Sequence, residues 1–207
     1  MRAQRVNVAA AFFIENEFKQ TGSFIYDVYS GALGRRPGFT EYSSDHQQVI
    51  AGPNLDAEQT AFAMSFVQRP EFVAKYQGAT TAESFVDALL QTVAQNSGAD
   101  LSSQRDALIA DYHNGTDLNQ SRALVLSDIA ANASFNQALY NKAFVLVEYF
   151  GYLQRNPDTG GYDFWLNVIS NREVGNYRGM VCAFITSTEY QQRFSSVITH
   201  GNAECGN

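Results

Sequence analysis

Residues 144–165 read FVLVEYFGYLQRNPDTGGYDFW, and this stretch decides the fold class. Counting from Phe144, Val145 at +1, Tyr149 at +5 and Leu153 at +9 hold one broad helical face, the pattern of a buried stripe. Arg155 at +11 falls at the helix end, where a guanidinium suits free carbonyls and the negative end of the dipole. Pro157 at +13 stops the helix, and Asn156-Pro157-Asp158-Thr159-Gly160-Gly161 supplies a turn. Tyr162, Trp165 and Val168 then begin a second amphipathic helix. The unit is helix–turn–helix, and each marked position has a structural reason.

The pattern recurs. Phe24-Ile25 is followed by Tyr29, Leu33, Arg35, Pro37 and Tyr42 at the offsets of Tyr149, Leu153, Arg155, Pro157 and Tyr162. Phe85-Val86 opens a degenerate copy with Leu90 but then Ala94, Asn96 and Gly98. The openings lie about sixty residues apart. A second signature closes each unit: Phe66-Val67-Gln68-Arg69-Pro70-Glu71-Phe72, a weakened Ile129 to Phe135, and Phe184-Ile185-Thr186-Ser187-Thr188-Glu189-Tyr190. Phe12 to Phe18 is a further copy of this ending. The expected organisation is a partial repeat over 1–22, a first repeat over 23–78, a degenerate one over 79–142, a last one over 143–199 and a flexible tail over 200–207, grouped as one compact domain.

Elsewhere the period is helical, and nothing alternates long enough to make a strand. Thr80-x-x-Glu83, Ser103-x-x-Asp106 and Asp117-x-x-Gln120 read as helix starts, while Gly34, Gly52, Gly78, Gly98 and Gly115 read as stops. Pro70 should break a helix between Phe66 and Phe72. The class is all-α, a helical repeat of nine to eleven helices without sheet.

Composition narrows the function. The chain of 207 residues is 17% charged with a net charge of −7. Arg35-Arg36 is its one basic doublet, which excludes the clustered footprint that phosphate backbones require. No apolar run approaches the ~20 residues of a membrane span. Arg2 and Arg5 before Val6 to Ile14 imitate a signal peptide, but Glu15 and Glu17 stand where a cleavage site belongs. Cys182 lies in an apolar run and reads as a buried small hydrophobe, with Cys205 in a glycine-rich tail; pairing of the two is the minor reading, and the count does not fix the redox compartment.

Chemistry is sparse. Nucleophile elbow, zinc-binding His pair, P-loop and dinucleotide turn are all missing, so neither a cofactor nor a metal is expected. Asp45 and His46 are adjacent, and helical neighbours diverge by about 100°, so they form no ready dyad. His113 before Asn114-Gly115 reads as a helix-end cap, and His200 falls in the tail. His46, His113 and Asp45 are the candidates if the protein is an enzyme. A carboxylate pair assembled from separate helices stays open. Arg155, Tyr162 and Trp165 lie near one turn, where they could stack on and hydrogen-bond to a sugar, although a lone Trp is more often a packing anchor. Arg35, Pro37, Glu71, Pro157 and Glu189 are marked as scaffold of the motif.

Phe144 to Phe194 resembles a bacterial domain of unknown function, numbered four-two-one-four. That family's pattern is a Tyr- and Leu-bearing helix, Gly-Arg-x-Pro-Asp, a glycine, an aromatic and Trp, then Phe-[Ile/Val]-x-Ser-x-Glu-[Phe/Tyr]. Here it appears as Tyr149, Leu153, Arg155, Pro157, Asp158, Gly161, Trp165 and Phe184 to Tyr190. The first copy keeps Leu33-Gly34-Arg35-Arg36-Pro37 but carries Gly38 for the Asp and lacks the Trp; the middle copy lacks Arg, Pro and Trp. Including these copies, the resemblance spans nearly the whole chain. It implies a helical assembly or attachment module outside the cytoplasm, as in surface-layer and adhesin-like exported proteins, touching cell-surface glycan. A likeness to the phycobilisome linker domain points the same way, and no catalytic residues carry over.

A non-catalytic, surface-associated module is therefore the expected function. The alternative is a hydrolase of activated esters or phosphoesters with a site assembled between helices. The closing signature at Phe12 to Phe18 lacks its opening partner, so about thirty residues are expected to be missing upstream, the export signal among the lost sequence. Their loss would bare Val6, Ala9, Phe12 and Phe13, making self-association through the N-terminal helix the expected partner interaction.

Overall fold

The computed structural model describes Phe18 and residues 20–194, and among these residues there are eleven α-helices and no strand. The all-α class is as the sequence predicts. Compactness divides the chain into two units: Gln20–Tyr140, and Met1–Lys19 with Asn141–Asn207.

The first unit holds α1 (Gly22–Leu33), α2 (Phe39–His46), α3 (Leu55–Phe66), α4 (Pro70–Tyr76), α5 (Ala82–Ser97), α6 (Arg105–His113) and α7 (Leu118–Ala130). Helix α1 is its axis: every residue from Gly22 to Ala32 is buried, and α2, α4, α5 and α7 pack around it. Aromatic edges build the core. Phe66 meets Tyr29 at 4.9 Å and Phe72 at 6.4 Å, and Phe85 meets Tyr76 at 5.2 Å, the edge-to-face spacing ring quadrupoles favour. Arg122 is also buried; it donates to Tyr76 O at 3.1 Å and Ala79 O at 3.0 Å, cations being favoured at helix C-termini, and lies over the Phe85 ring.

Local signals act where chemistry requires them. Pro70 occupies the first turn of α4, where its missing N–H costs nothing. Asp117 caps α7 by accepting from Gln120 N at 2.9 Å. Gly34 ends α1 at φ 72°, the left-handed conformation glycine enters most easily. Two predicted starts shift. Thr81, not Thr80, caps α5, exchanging bonds with Ser84, because its backbone is the extended one a cap needs. The Ser103 signal falls inside a 3₁₀ turn, Ser102–Gln104, that leads into α6 without a side-chain cap.

Helix α8 (Ala133–Glu148) contains the division point. In the second unit its end is buried continuously from Ala143 to Glu148 and passes into a π-helical turn, Tyr149–Leu153. Next come α9 (Thr159–Asn167), a π turn at Val168–Arg172, α10 (Tyr177–Ile185) and α11 (Thr188–Arg193). Phe18 packs edge-on against Phe144 at 6.2 Å. Residues Val6, Ala9, Phe12 and Phe13, on which the expected self-association rests, lie outside the described residues, as does His200.

Cys182 corrects an expectation. It is disulfide-bonded rather than a free buried thiol, and the sequence offers one other cysteine, Cys205, outside the described residues. Its burial is as expected: on α10 it is 7% exposed.

Candidate functional site

The helix-end arginines do more than satisfy carbonyls. Arg35 donates through Nε and Nη2 to both Glu71 oxygens at 2.8 and 2.6 Å, and its other face takes Glu41 at 2.7 and 2.9 Å. Arg36 O receives a bond at 3.2 Å. Opening and closing signatures are thus tied by a two-point charge-assisted bond, the strong, directional kind. The guanidinium holds the Glu41 and Glu71 carboxyls below the usual carboxylate range. Above it, Tyr29 Oη donates to Asp45 at 2.7 Å and accepts from Arg69 at 2.7 Å, while Arg69 grips Asp45 at 2.8 and 2.7 Å. Arg69 also lies over the Phe66 ring, 4.5 Å from its centroid. Every polar group of this Tyr29 frame is answered.

The second unit builds a matching frame. Tyr149 meets Phe184 edge-on at 4.9 Å, as Tyr29 meets Phe66, and Arg155 lies 5.3 Å from the Tyr149 ring centroid where Arg35 lies 5.1 Å from that of Tyr29. Arg155 donates to both oxygens of Glu189 at 2.6 and 2.8 Å and to Asn156 O at 3.0 Å, and it holds the Glu189 carboxyl low. Four positions differ. The cap of the helix after the turn is Gly38 before α2 and Asp158 before α9, the latter accepting from Gly161 N at 2.8 Å and standing 3.9 Å from Arg155. The third residue of the helix after the turn is Glu41 in α2 and Gly161 in α9. The seventh is Asp45 in α2 and Trp165 in α9. The cap of the closing helix is Arg69 before α4 and Ser187 before α11.

These changes open a cleft of ≈ 170 Å³ lined by Tyr149, Leu153, Arg155 and Trp165 on one side and Ala183, Phe184, Ser187 and Glu189 on the other. Ligand pockets for drug-sized molecules run ~300–1,000 Å³, so this one suits a single ring or side chain. Trp165 packs against Phe184 at 5.6 Å and is edged by Phe164, which is 51% exposed. Ser187 Oγ is committed to the backbone, donating to Phe184 O at 2.7 Å and capping Tyr190 N at 3.1 Å. The Tyr149 hydroxyl makes no hydrogen bond to a described residue. It stands so close over the first turn of α9 that a Cβ at Gly161 would lie 2.4 Å from it. Only glycine fits there.

Of the residues singled out from sequence, Arg155, Trp165 and Glu189 meet in this cleft. Tyr162 is not part of the cleft: it is buried at 8% exposure, and its hydroxyl is taken up by Lys142 O of α8 at 3.0 Å. Asp45 points into the Tyr29 frame, whereas His46 is exposed and stacks on Tyr42 at 5.4 Å. His113 is exposed at the end of α6. The structure does bring two carboxylates of separate helices together, Asp111 of α6 and Asp128 of α7; burial and the neighbouring Asp111 push Asp128 up to about 6. Neither lines the cleft. Tyr149 and Ser187 are the site residues that sequence reasoning missed. Both stand inside the quoted motifs, but their role appears only when the two frames are set side by side.

Among the described residues no group of three or more His, Cys, Asp or Glu could hold a metal ion. No helix among them is long and apolar enough to cross a membrane. No curated protein and no solved structure matches the chain. The model of one domain of unknown function, DUF4214, matches residues 122–194, a span that contains the whole cleft and leaves the Tyr29 frame outside it. Over residues 122–194 the chain is thus similar to the DUF4214 family.

Proposed function

We propose that this chain is a non-catalytic helical attachment module of an exported bacterial protein, and that the Trp165 cleft is where it holds cell-surface glycan. The observation that carries this reading is the state of the charged groups in the cleft. Glu189 and Arg155 are locked on each other by two hydrogen bonds of 2.6 and 2.8 Å, so neither is free to transfer a proton, while the Trp165 indole stands beside them. An aromatic face with a polar edge suits a sugar ring, whose own faces are apolar and edges hydroxylated. Phe164, exposed beside Trp165, widens the platform. The disulfide at Cys182 supports export, since such bonds persist in oxidising compartments and are rare in the cytosol.

The test is co-sedimentation with purified bacterial cell walls, alongside a screen for hydrolysis of activated esters and phosphoesters. Sedimentation lost in Trp165→Ala, at unchanged melting temperature, is the expected result. Turnover abolished by His46→Ala or His113→Ala would replace this reading with the hydrolase one.

A further inference from the structure

The last residue of α8 is an acid with nothing to hold it. Glu148 is fully buried, and neither of its carboxyl oxygens has a hydrogen-bond partner. At the same offset from the opening phenylalanine the first unit carries Val28, also fully buried, so the acid stands where packing alone needs an apolar side chain. Asp27, another buried carboxyl, differs in having one oxygen held by Ser23 and Asn136. The backbone changes character immediately after Glu148. Helix α1 stays α-helical through Leu33, whereas α8 gives way to the π turn Tyr149–Leu153, and Gln154 closes that turn at φ 48°. Such wide turns often mark functional sites, and a left-handed residue other than glycine stores backbone strain. Tyr149, Leu153 and Arg155 of the cleft therefore hang on a segment bracketed by an unpaired acid and a strained residue.

The surroundings offer an ionised carboxylate no partner. Tyr152, one turn on, meets Tyr190 of α11 at 5.8 Å and Phe184 of α10 at 6.5 Å, and these two helices pack on the turn. On α11, Glu189 is tied to Arg155, and Arg193 lies 3.8 Å from Glu189. On α10, Arg178 is exposed, Tyr177 donates to Asn141, and Cys182 is disulfide-bonded and does not titrate. Burial alone raises the Glu148 carboxyl, and the Tyr152 phenol is raised by burial and then by Glu148. A lone carboxylate is strongly disfavoured in such a place, so it stays protonated or reaches water. The packed state has its full stability below about pH 4.3, the ordinary glutamate value, and each pH unit above that favours opening about tenfold until the folded group itself titrates.

We propose that Glu148 is a pH-sensitive latch on the cleft. Protonated, it lets the π turn pack; ionised, it moves toward water and loosens the wall that carries Tyr149, Leu153 and Arg155. Rising pH opens the cleft and falling pH shuts it. This goes beyond the attachment reading and does not depend on what the cleft holds.

Trp165 is the sole tryptophan of the chain and packs on Phe184, so its exposure reports on the cleft. Acrylamide quenching of its emission is followed on the full chain from about pH 4.5 to about pH 9, a range that starts near the ordinary glutamate value. Far-ultraviolet circular dichroism is recorded in parallel, for wild type, Glu148→Gln and Glu148→Leu. Wild-type quenching should rise at least twofold across the range while nearly all of the helical signal is kept, and both variants should stay close to their low-pH value. Glu148→Leu supplies an apolar side chain, as Val28 does in the first unit, so it decides the question if the glutamine variant folds poorly. A flat wild-type profile, or an equal rise in the folded variants, overturns the latch. Loss of most of the helical signal over the same range also overturns it, since Glu148 would then act on the whole unit rather than on the turn. Cell-wall binding does not enter this experiment, so the attachment reading stands or falls separately.

Discussion

The Tyr29 and Tyr149 frames share a skeleton and differ in what fills it. Both have a tyrosine edge-on to a phenylalanine at 4.9 Å, an arginine over the tyrosine, and a glutamate from the closing signature gripping that arginine. One is sealed by an internal ion pair, Asp45 with Arg69; the other is left open, its seventh helical residue an indole and its cap a serine. The difference teaches that the arginine–glutamate tie is scaffold, present whether or not the space above is filled. Function, where there is any, belongs to the positions that vary between the frames.

That contrast can be broken most forcefully on its sealed side. The Asp45 side chain is 6% exposed, and Arg69→Ala would leave its buried carboxylate without a counter-ion, held by the neutral Tyr29 hydroxyl and Gln48 amide alone. Breaking a buried pair from one side costs about 3–5 kcal/mol, read as a loss in urea unfolding of the first unit. Ser187→Ala, at the corresponding cap of the open frame, should cost only about 1 kcal/mol, the worth of a helix cap. Equal losses at the two sites would mean the frames are not sealed and open as described.

Reduction of the disulfide is next in size. Cys182 is disulfide-bonded, and a native bridge typically contributes about 2–4 kcal/mol. Dithiothreitol should lower the unfolding temperature of the second unit and leave that of the first unchanged.

Glu148 sharpens the comparison through pH. It stands where the first frame carries Val28, is fully buried, and has neither oxygen hydrogen-bonded, so burial raises its pKa well above the ordinary carboxyl range. The folded state therefore holds a proton that the unfolded chain releases near pH 4.3, a normal glutamate value. The stability this gives is fully present below about pH 4.3 and is lost as pH rises toward the folded pKa, by about 1.4 kcal/mol per pH unit. Glu148→Leu should flatten that slope and raise stability at pH 8 more than at pH 5. Asp27 of α1, buried with one unpaired oxygen, imposes the same sign on the first unit.

The smallest effect lies at the turn before each arginine. Gly34 sits at φ 72° and Gln154 at φ 48°, the latter in a region that costs a side-chain-bearing residue about 1 kcal/mol. Gln154→Gly should therefore gain about 1 kcal/mol, whereas Gly34→Gln should lose at least as much, with its Cβ only 3.2 Å from Thr92.

Helical period and capping chemistry are local, which is why α1, α4 and α7 were legible from Phe24, Pro70 and Asp117 alone. The Thr80 start missed by one residue because neighbouring threonines present the same chemistry, and only the backbone conformation chooses between them. The tie of Arg35 to Glu71 was invisible: the two are far apart in sequence, and packing of α4 against α1 brings them together. Of the cleft, Arg155 and Trp165 were legible as residue types that suit a ligand. Tyr162 was an equally good candidate by type, and only packing against α8, where its hydroxyl meets Lys142 O, buries it. Tyr149 gave no signal of its own. That Asp45 and Arg69 have no counterparts beside its ring can be recognised only once the partners in the first frame are seen in contact.

The most direct measurement closes the open frame with the residues of the sealed one. Trp165→Asp and Ser187→Arg together place the Asp45–Arg69 pair over Tyr149, and its binding is compared with wild type by cell-wall co-sedimentation and calorimetry against the N-acetylglucosamine tetrasaccharide. The account predicts a chain that melts cooperatively at or near the wild-type temperature and no longer binds. A folded double variant that still sediments with cell walls and binds the sugar as wild type does would contradict it.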